Sequence, residues 1–147
     1  MADAASVTLS ATVLPDEIAK TISGSMTVTP ADVGDKWYYK LTSATTSSTD
    51  LIAGNFIDDA AIAVGSSPAA LVVGDKIQFL FVKNTDTTDD VYINIAGAAS
   101  ASATGSIKIA AGHSWFMSSP NTTVGDVHVI ASANTPIMIV AAIIDDV

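Results

Sequence analysis

The residues in this sequence best suited to acid–base or metal chemistry are two histidines, His113 and His128. A metal centre or a general base needs several suitable side chains that converge on one point. A jelly-roll metal enzyme would place two histidines one residue apart and a glutamate later in the chain, whereas the sole glutamate here is Glu17. We therefore expect two ordinary surface or interface histidines on adjacent strands, with no metal and no cofactor.

Nucleophilic and phosphate chemistry also lack their usual signatures. The serines and threonines are many, but none lies in the Gly-x-Ser-x-Gly turn that exposes a catalytic serine. Gly97 and Gly105 flank a loop without the glycine-lysine pattern that binds phosphate. The sequence therefore predicts a protein that is not an enzyme.

Carboxylates cluster in one short turn, where Asp86, Asp89 and Asp90 accompany Asn84 and Thr87. Oxygen ligands of this kind can bind Ca²⁺, but the spacing lacks the alternate ligands, central glycine and closing glutamate of an EF-hand. Solvated acids are the preferred interpretation, and Ca²⁺ binding remains open.

Aromatic residues gather in two places, at Trp37-Tyr38-Tyr39 and at Trp115-Phe116. Such rings could stack on sugars, so Trp37, Tyr38, Tyr39 and Trp115 are candidate glycan contacts. Packing in a core or an interface is the preferred alternative, because aromatic side chains bury large areas there.

The charge balance limits the partners. The net charge of −9 comes from fourteen Asp and one Glu against six Lys, with no Arg. Nucleic acid and anionic membranes are unlikely partners for so acidic a chain, since both attract basic surfaces. Cysteine is absent, so stability has to come from packing and association.

Alternating apolar and polar residues predict about eight to ten short strands in one domain, residues 1–147. The expected strands are listed here by number: 6–14, 18–29, 36–42, 76–83, 91–96, 106–110, 114–117, 126–131 and 137–145. Strands 76–83 and 91–96 are predicted to form a hairpin across the turn 84–90, and 57–64 fits either a helix or a strand. This pattern favours an all-β fold, a β-sandwich of jelly-roll type, with an immunoglobulin-like or other Greek-key sandwich as the alternative.

The tripeptide Val-Gly-Asp occurs at 33–35, 73–75 and 124–126, each time before a predicted strand. We interpret it as one turn device used three times, in which glycine adopts a positive φ and aspartate bonds nearby backbone. Internal duplication is the less favoured alternative.

The run 137–144 is apolar at every position, so its strand must be covered on both faces. A two-layer domain covers one face, and a second copy of the chain is the expected cover for the other. The predicted core comprises Ile137, Ile139, Ile143, Phe79 and Phe81. The predicted oligomer interface comprises Leu80, Val82, Met138, Val140 and Ile144, although the two parities could be exchanged. Residues 1–5 are expected to form a flexible N-terminal arm.

Several runs in the second half of the chain, among them residues 74–84, 91–95 and 111–116 and the ending from Val140 to Asp146, resemble small virion structural proteins of tailed bacteriophages. The resemblance covers roughly half the chain and lies in rhythm and composition. It implies a capsid decoration, or cement, protein: a β-sandwich, often trimeric, made in the host cytoplasm and bound to the major capsid protein on the outer capsid surface. A glycan-binding tail-fibre or adhesin knob is the alternative function, and a surface filament subunit is the third.

Overall fold

The computed structural model describes residues 5–12, 21–28, 36–54, 71–101, 105–119 and 121–145. These residues form ten strands and a short 3₁₀ helix at Val124–Asp126. The strands are β1 (Ala5–Thr12), β2 (Thr21–Val28), β3 (Lys36–Ser43), β4 (Thr49–Asp50), β5 (Lys76–Asn84), β6 (Val91–Asn94), β7 (Ile107–Ile109), β8 (Ser114–Met117), β9 (His128–Ala131) and β10 (Ile137–Asp145). The ends of the first two predicted strands (13–14, 18–20 and 29), the segment 57–64 and residues 1–4 of the predicted arm lie outside the described residues, while Ala5 begins β1.

The strands build three antiparallel sheets. β1 and β2 form a two-stranded ribbon, while the other eight strands form a first sheet in the order β3-β10-β5-β8 and a second sheet in the order β4-β9-β6-β7. The described part of the chain is thus all-β, and its antiparallel sheets are consistent with the expected β-sandwich.

The pairing between these eight strands is nested. β3 pairs with β10, β4 with β9, β5 with β8, and β6 with β7. The predicted hairpin between β5 and β6 is therefore wrong, because these strands belong to different sheets. The turn 84–90 crosses from one sheet to the other, and alternation along the chain does not distinguish a crossing from a return.

One hydrophobic cluster draws its members from both four-stranded sheets. Its fully buried residues include Ile77, Leu80, Val82, Met138, Val140 and Ile144 from the first sheet, and Val91, Ile93, Ile109 and Val129 from the second. Removal of this apolar surface from water is the main force that holds the two sheets together.

The predicted division of β5 and β10 between core and interface is exchanged in the structure. The five residues assigned to an oligomer interface (Leu80, Val82, Met138, Val140, Ile144) are 0% exposed and lie in the core cluster. They therefore have no surface to offer a second subunit. Both parities of these strands are apolar, so hydrophobicity could not tell the faces apart.

The residues assigned to the core lie on the opposite face. Ile137 is 53% exposed, Ile139 and Phe81 are half-buried, and Ile143 and Phe79 are buried outside the main cluster. Neighbouring residues mark which face is the inner one. Tyr38 of β3 and Asn84 of β5 lie on that face and are buried.

Two of the three Val-Gly-Asp segments lie against each other. The Val124 amide donates to the Asp75 carbonyl at 2.8 Å, and the Gly125 amide donates to the Val73 carbonyl at 3.0 Å. Neither Gly74 nor Gly125 has a positive φ, so that part of the turn interpretation is wrong. Glycine is required at 125 by close approach, since a Cβ there would lie 3.1 Å from the Val73 carbonyl oxygen. The segment 33–35 lies outside the described residues.

The aspartate of the second segment does bond backbone, as predicted. Asp75 is 0% exposed, and its Oδ2 accepts the Val72 amide at 2.8 Å. Its Oδ1 is buried without a hydrogen-bond partner. A buried carboxylate with one unpaired oxygen costs stability, which the capped turn at 72–75 partly offsets.

Candidate interaction surface

The first four-stranded sheet has an apolar outer face, on the side away from the core. Directly paired residues of an antiparallel sheet point the same way, so the ladder register gives the rows of this face. One row runs Leu41, Ile139, Lys83, Ser114, and the next runs Tyr39, Ala141, Phe81, Phe116. A third row joins Trp37, Ile143 and Phe79, and Ser43 pairs with Ile137 at the other end. We call these residues the outer sheet face.

Cover on the outer sheet face is uneven. At one end Ile143 is 0% and Phe79 is 7% exposed. At the other end Leu41 is 61%, Tyr39 56% and Ile137 53% exposed. We expected β10 to be buried on both of its faces. Its outer face is buried only at the end that contains Ile143. The open end is an apolar patch of the kind that marks a contact site.

The β1–β2 ribbon presents a second apolar face, which is covered only in part. Its paired strands place all hydroxyl side chains on one side and all apolar side chains on the other. The hydroxyl side holds Ser6, Thr8, Ser10, Thr12, Thr21, Ser23, Ser25 and Thr27, and the apolar side holds Ala5, Val7, Leu9, Ala11, Ile22, Met26 and Val28 together with Gly24. Leu9 is 51% and Ile22 is 54% exposed, so the centre and one end of the apolar side face solvent.

Charge is sparse on both surfaces. The sixteen residues of the ribbon's strands, eight in each, contain no Asp, Glu, Lys or Arg. The rows named above hold one charged side chain, the exposed Lys83, and the same face continues past Ile143 with the pair Asp145–Lys76. In a chain of net charge −9, these two faces are where another acidic surface meets the least repulsion.

The four aromatic residues predicted to contact glycan are not brought together. Tyr38 is 2% exposed, and its hydroxyl donates to the Ala53 carbonyl at 3.3 Å. Burial raises the pKa of Tyr38, while this hydrogen bond acts in the opposite direction. Trp115 is partly buried against the core cluster. Trp37 and Tyr39 share the outer sheet face, where Tyr39 is the exposed ring, whereas Tyr38 and Trp115 lie on the inner face of the same sheet.

The two histidines lie in different sheets, so their placement on adjacent strands is wrong. His113 is exposed in the turn before β8 of the first sheet, and His128 begins β9 of the second. His128 Nδ1 lies 3.5 Å from Asp50 Oδ1 on β4. Among the residues that the structure describes, no three His, Asp or Glu side chains gather in a way that could hold a metal ion.

The aspartates of the turn 84–90 shape the loop. Asp86 Oδ1 accepts the Thr88 amide at 2.8 Å, the Thr88 hydroxyl at 3.0 Å and the Asp89 amide at 2.9 Å. Hydrogen bonds from the Asp89 and Thr88 amides hold the pKa of Asp86 below its usual value. These bonds end on Oδ1 of Asp86, so this acid forms the loop in addition to the solvation that was predicted for it.

The other two acids of this turn have side-chain partners. Asp89 Oδ2 accepts from Asn134 Nδ2 at 2.7 Å, and Asp90 Oδ2 lies 2.7 Å from Lys108 Nζ. The Lys108 hydrogen bond lowers the pKa of Asp90, and the same contact raises the pKa of Lys108. Together these contacts tie the turn to β7 and to the residues before β10.

Comparison of the chain with protein-family models, with curated proteins and with solved structures finds no match in any of the three. In the described parts of the chain, no helix has the length and apolar character to span a membrane. The sequence analysis missed the ribbon's apolar side as a contact surface, although strict Ser/Thr alternation at 6–12 and 21–27 carried the signal.

Proposed function

We propose that this protein is a capsid decoration protein of a tailed bacteriophage. In this proposal it is a jelly-roll β-sandwich that forms homotrimers on the outer capsid surface and clamps neighbouring major capsid proteins. Uncovered apolar surface on two separate parts of one chain is the observation that carries the proposal, because such surface is typical of proteins that assemble.

Strand order supports the jelly-roll assignment over other Greek-key sandwiches. A jelly roll has eight strands in two four-stranded sheets, built from two Greek keys. The strands β3 to β10 pair first with last, second with seventh, third with sixth and fourth with fifth. This nested pairing is the one expected when a long antiparallel pair of chain segments is folded into two sheets. Viral capsid proteins use the fold, and so do lectins and cupins, so the step from fold to function is an analogy.

The proposed mechanism is mechanical. A protein that binds only the assembled shell stabilises it by linkage, and the stabilisation grows with the logarithm of its concentration over the dissociation constant. Contact with two neighbouring capsid subunits buries surface that must be exposed again before those subunits separate. The high negative charge keeps a protein that is repeated densely on a particle soluble.

The test is the mass of the purified chain in solution, followed by co-sedimentation with empty capsid shells. We expect a trimer that pellets with shells and raises the temperature at which they dissociate. A monomer that does not co-sediment with shells contradicts the proposal, and open-ended polymers favour the filament alternative.

The glycan-binding alternative retains one supporting observation, the 56% exposed ring of Tyr39 on the same face as Trp37. An aromatic ring on an open sheet face can stack on a sugar. A glycan array followed by tryptophan fluorescence titration tests it. Quenching by a sugar that Tyr39→Ala abolishes would favour the knob over the decoration protein.

A further inference from the structure

We propose that the β1–β2 ribbon is an assembly arm that lays its apolar side on the outer sheet face of a second copy of this chain. The inference deepens the proposed function and rests on its claim that several copies assemble. Each copy contributes its ribbon to one neighbour and its outer sheet face to another.

The ribbon needs a partner for its own stability. An isolated two-stranded sheet is marginally stable in water, and a hydrophobic face must pack on something to hold it. Five residues of its apolar side are half-buried, namely Ala5, Val7, Ala11, Met26 and Val28. Leu9 and Ile22 are 51% and 54% exposed, so that requirement is met only in part.

Part of the outer sheet face has the dimensions of the ribbon. The ribbon has eight paired positions from Ala5–Val28 to Thr12–Thr21, and β3 and β10 likewise have eight, from Lys36–Ile144 to Ser43–Ile137. The outer sheet face spans four strands, and the ribbon matches two of them, β3 and β10, in width and in length. The open parts of both surfaces are apolar, with Leu9 and Ile22 on one and Leu41, Tyr39 and Ile137 on the other.

Charge favours a second copy over a basic partner as the occupant. A chain of net charge −9 repels its own copies wherever acids meet, but the ribbon's strands carry no charge. The open end of the outer sheet face holds Lys83, and the pair Asp145–Lys76 lies beyond its covered end. A basic partner would gain nothing from these surfaces. A like copy can approach through them without the repulsion met elsewhere.

Area favours a closed ring. A face eight residues long and two strands wide measures roughly 27 by 10 Å, so one arm on one sheet buries about 550 Å² counted on both sides. That is well below the roughly 1,600 Å² of a standard specific interface. Each subunit of a closed ring takes part in two such contacts, which together bury about 1,100 Å², and the proposed trimer is such a ring.

Cross-linking between different copies tests the arm directly, because the native chain has no cysteine. Full-length Leu9→Cys protein is labelled with ¹⁵N, mixed with unlabelled Leu41→Cys protein, and treated with a short bismaleimide. We expect a mixed product with its own mass. The matched control is Thr8→Cys, whose side chain lies on the hydroxyl side of the ribbon and should give little of it.

Association provides the second measurement. Leu9→Asp should weaken the oligomer at least tenfold, while Thr8→Asp should leave its mass unchanged and both variants should keep their β-type circular dichroism. Cross-linking within single chains of a dilute Leu9→Cys/Leu41→Cys double variant, without mixed product, would overturn the inference. If the oligomer persists in Leu9→Asp and no mixed product forms, the arm contact is contradicted while the proposed trimer stands. If the wild-type chain is a monomer at all concentrations, both the arm contact and the proposed trimer are contradicted.

Discussion

At the scale of single residues, carboxylates in this protein build turns. Asp75 caps the turn at 72–75 from a fully buried position, and Asp86 gathers three donors onto one oxygen. An acidic composition therefore does not mean that every acid serves solubility or metal binding. The sequence shows where the acids cluster, but the donors that meet them are set by the folded loop.

The turn at Asp86 gives a pH prediction. The pKa of Asp86 is lowered by the Asp89 and Thr88 amides, so its contribution to stability is complete above the unfolded pKa of about 3.9 and is lost as the pH falls through the lower folded value. Asp86→Asn keeps the accepting Oδ1 and removes the titration. We expect its urea midpoint to fall less steeply than that of the wild type below pH 4.

The measurement is a series of urea unfolding curves between pH 2 and 7. Asp126→Asn is the matched control, since it removes an exposed carboxylate that accepts the Thr123 hydroxyl in place of turn amides. Identical pH profiles for Asp86→Asn and wild type would show that the turn contributes through geometry alone.

At the scale of elements, the contact between the two Val-Gly-Asp segments joins β5 to the 3₁₀ helix. Gly125→Ala places a Cβ 3.1 Å from the Val73 carbonyl oxygen and 3.2 Å from its Cβ, so the segments must separate. Overpacking of this kind costs about 1–3 kcal/mol of unfolding free energy. Chemical denaturation measures it.

Gly74→Ala is the matched control in the neighbouring segment. A Cβ at Gly74 meets no atom within 4 Å, and its φ is not positive. Alanine there restricts the unfolded chain and should raise stability by about 0.4–1 kcal/mol. Equal losses at both positions would contradict the role assigned to close approach at Gly125.

The sequence predicted the positions of the strands better than it predicted which strands pair. The bounds of β8 and β10 match the predicted runs 114–117 and 137–145, because period-two alternation and continuous apolar runs are local signals. The predicted hairpin of β5 and β6 failed, since pairing depends on where a turn leads. The faces of β5 and β10 were exchanged for a similar reason, as both parities carry large apolar side chains.

At the scale of the whole molecule, one sheet has an inner face that makes the fold and an outer face that remains available. Val140 is 0% exposed on the inner face, and Leu41 is 61% exposed on the outer one. The first belongs to the core that both sheets share. The second belongs to the surface through which copies are proposed to meet.

This difference gives a paired prediction. Val140→Asp buries an unpaired charge, which costs several kcal/mol against a total stability of about 5–15 kcal/mol, so we expect loss of β-type circular dichroism. Leu41→Asp should keep the folded spectrum and reduce the mass of the oligomer. A folded, dissociated Val140→Asp protein would show that the inner and outer faces have been assigned the wrong way round.

The nested pairing has a consequence for how the chain is made. β10 lies in the middle of its sheet, between β3 and β5, yet it is the last of the ten strands to be synthesised. Lys36 finds its native neighbour only when Ile144 has been added. Until then β3 and β5 have no strand between them, and the emerging polypeptide carries two unjoined hydrophobic edges. Closure of such distant contacts is slow, so we expect the first sheet to be completed late in folding.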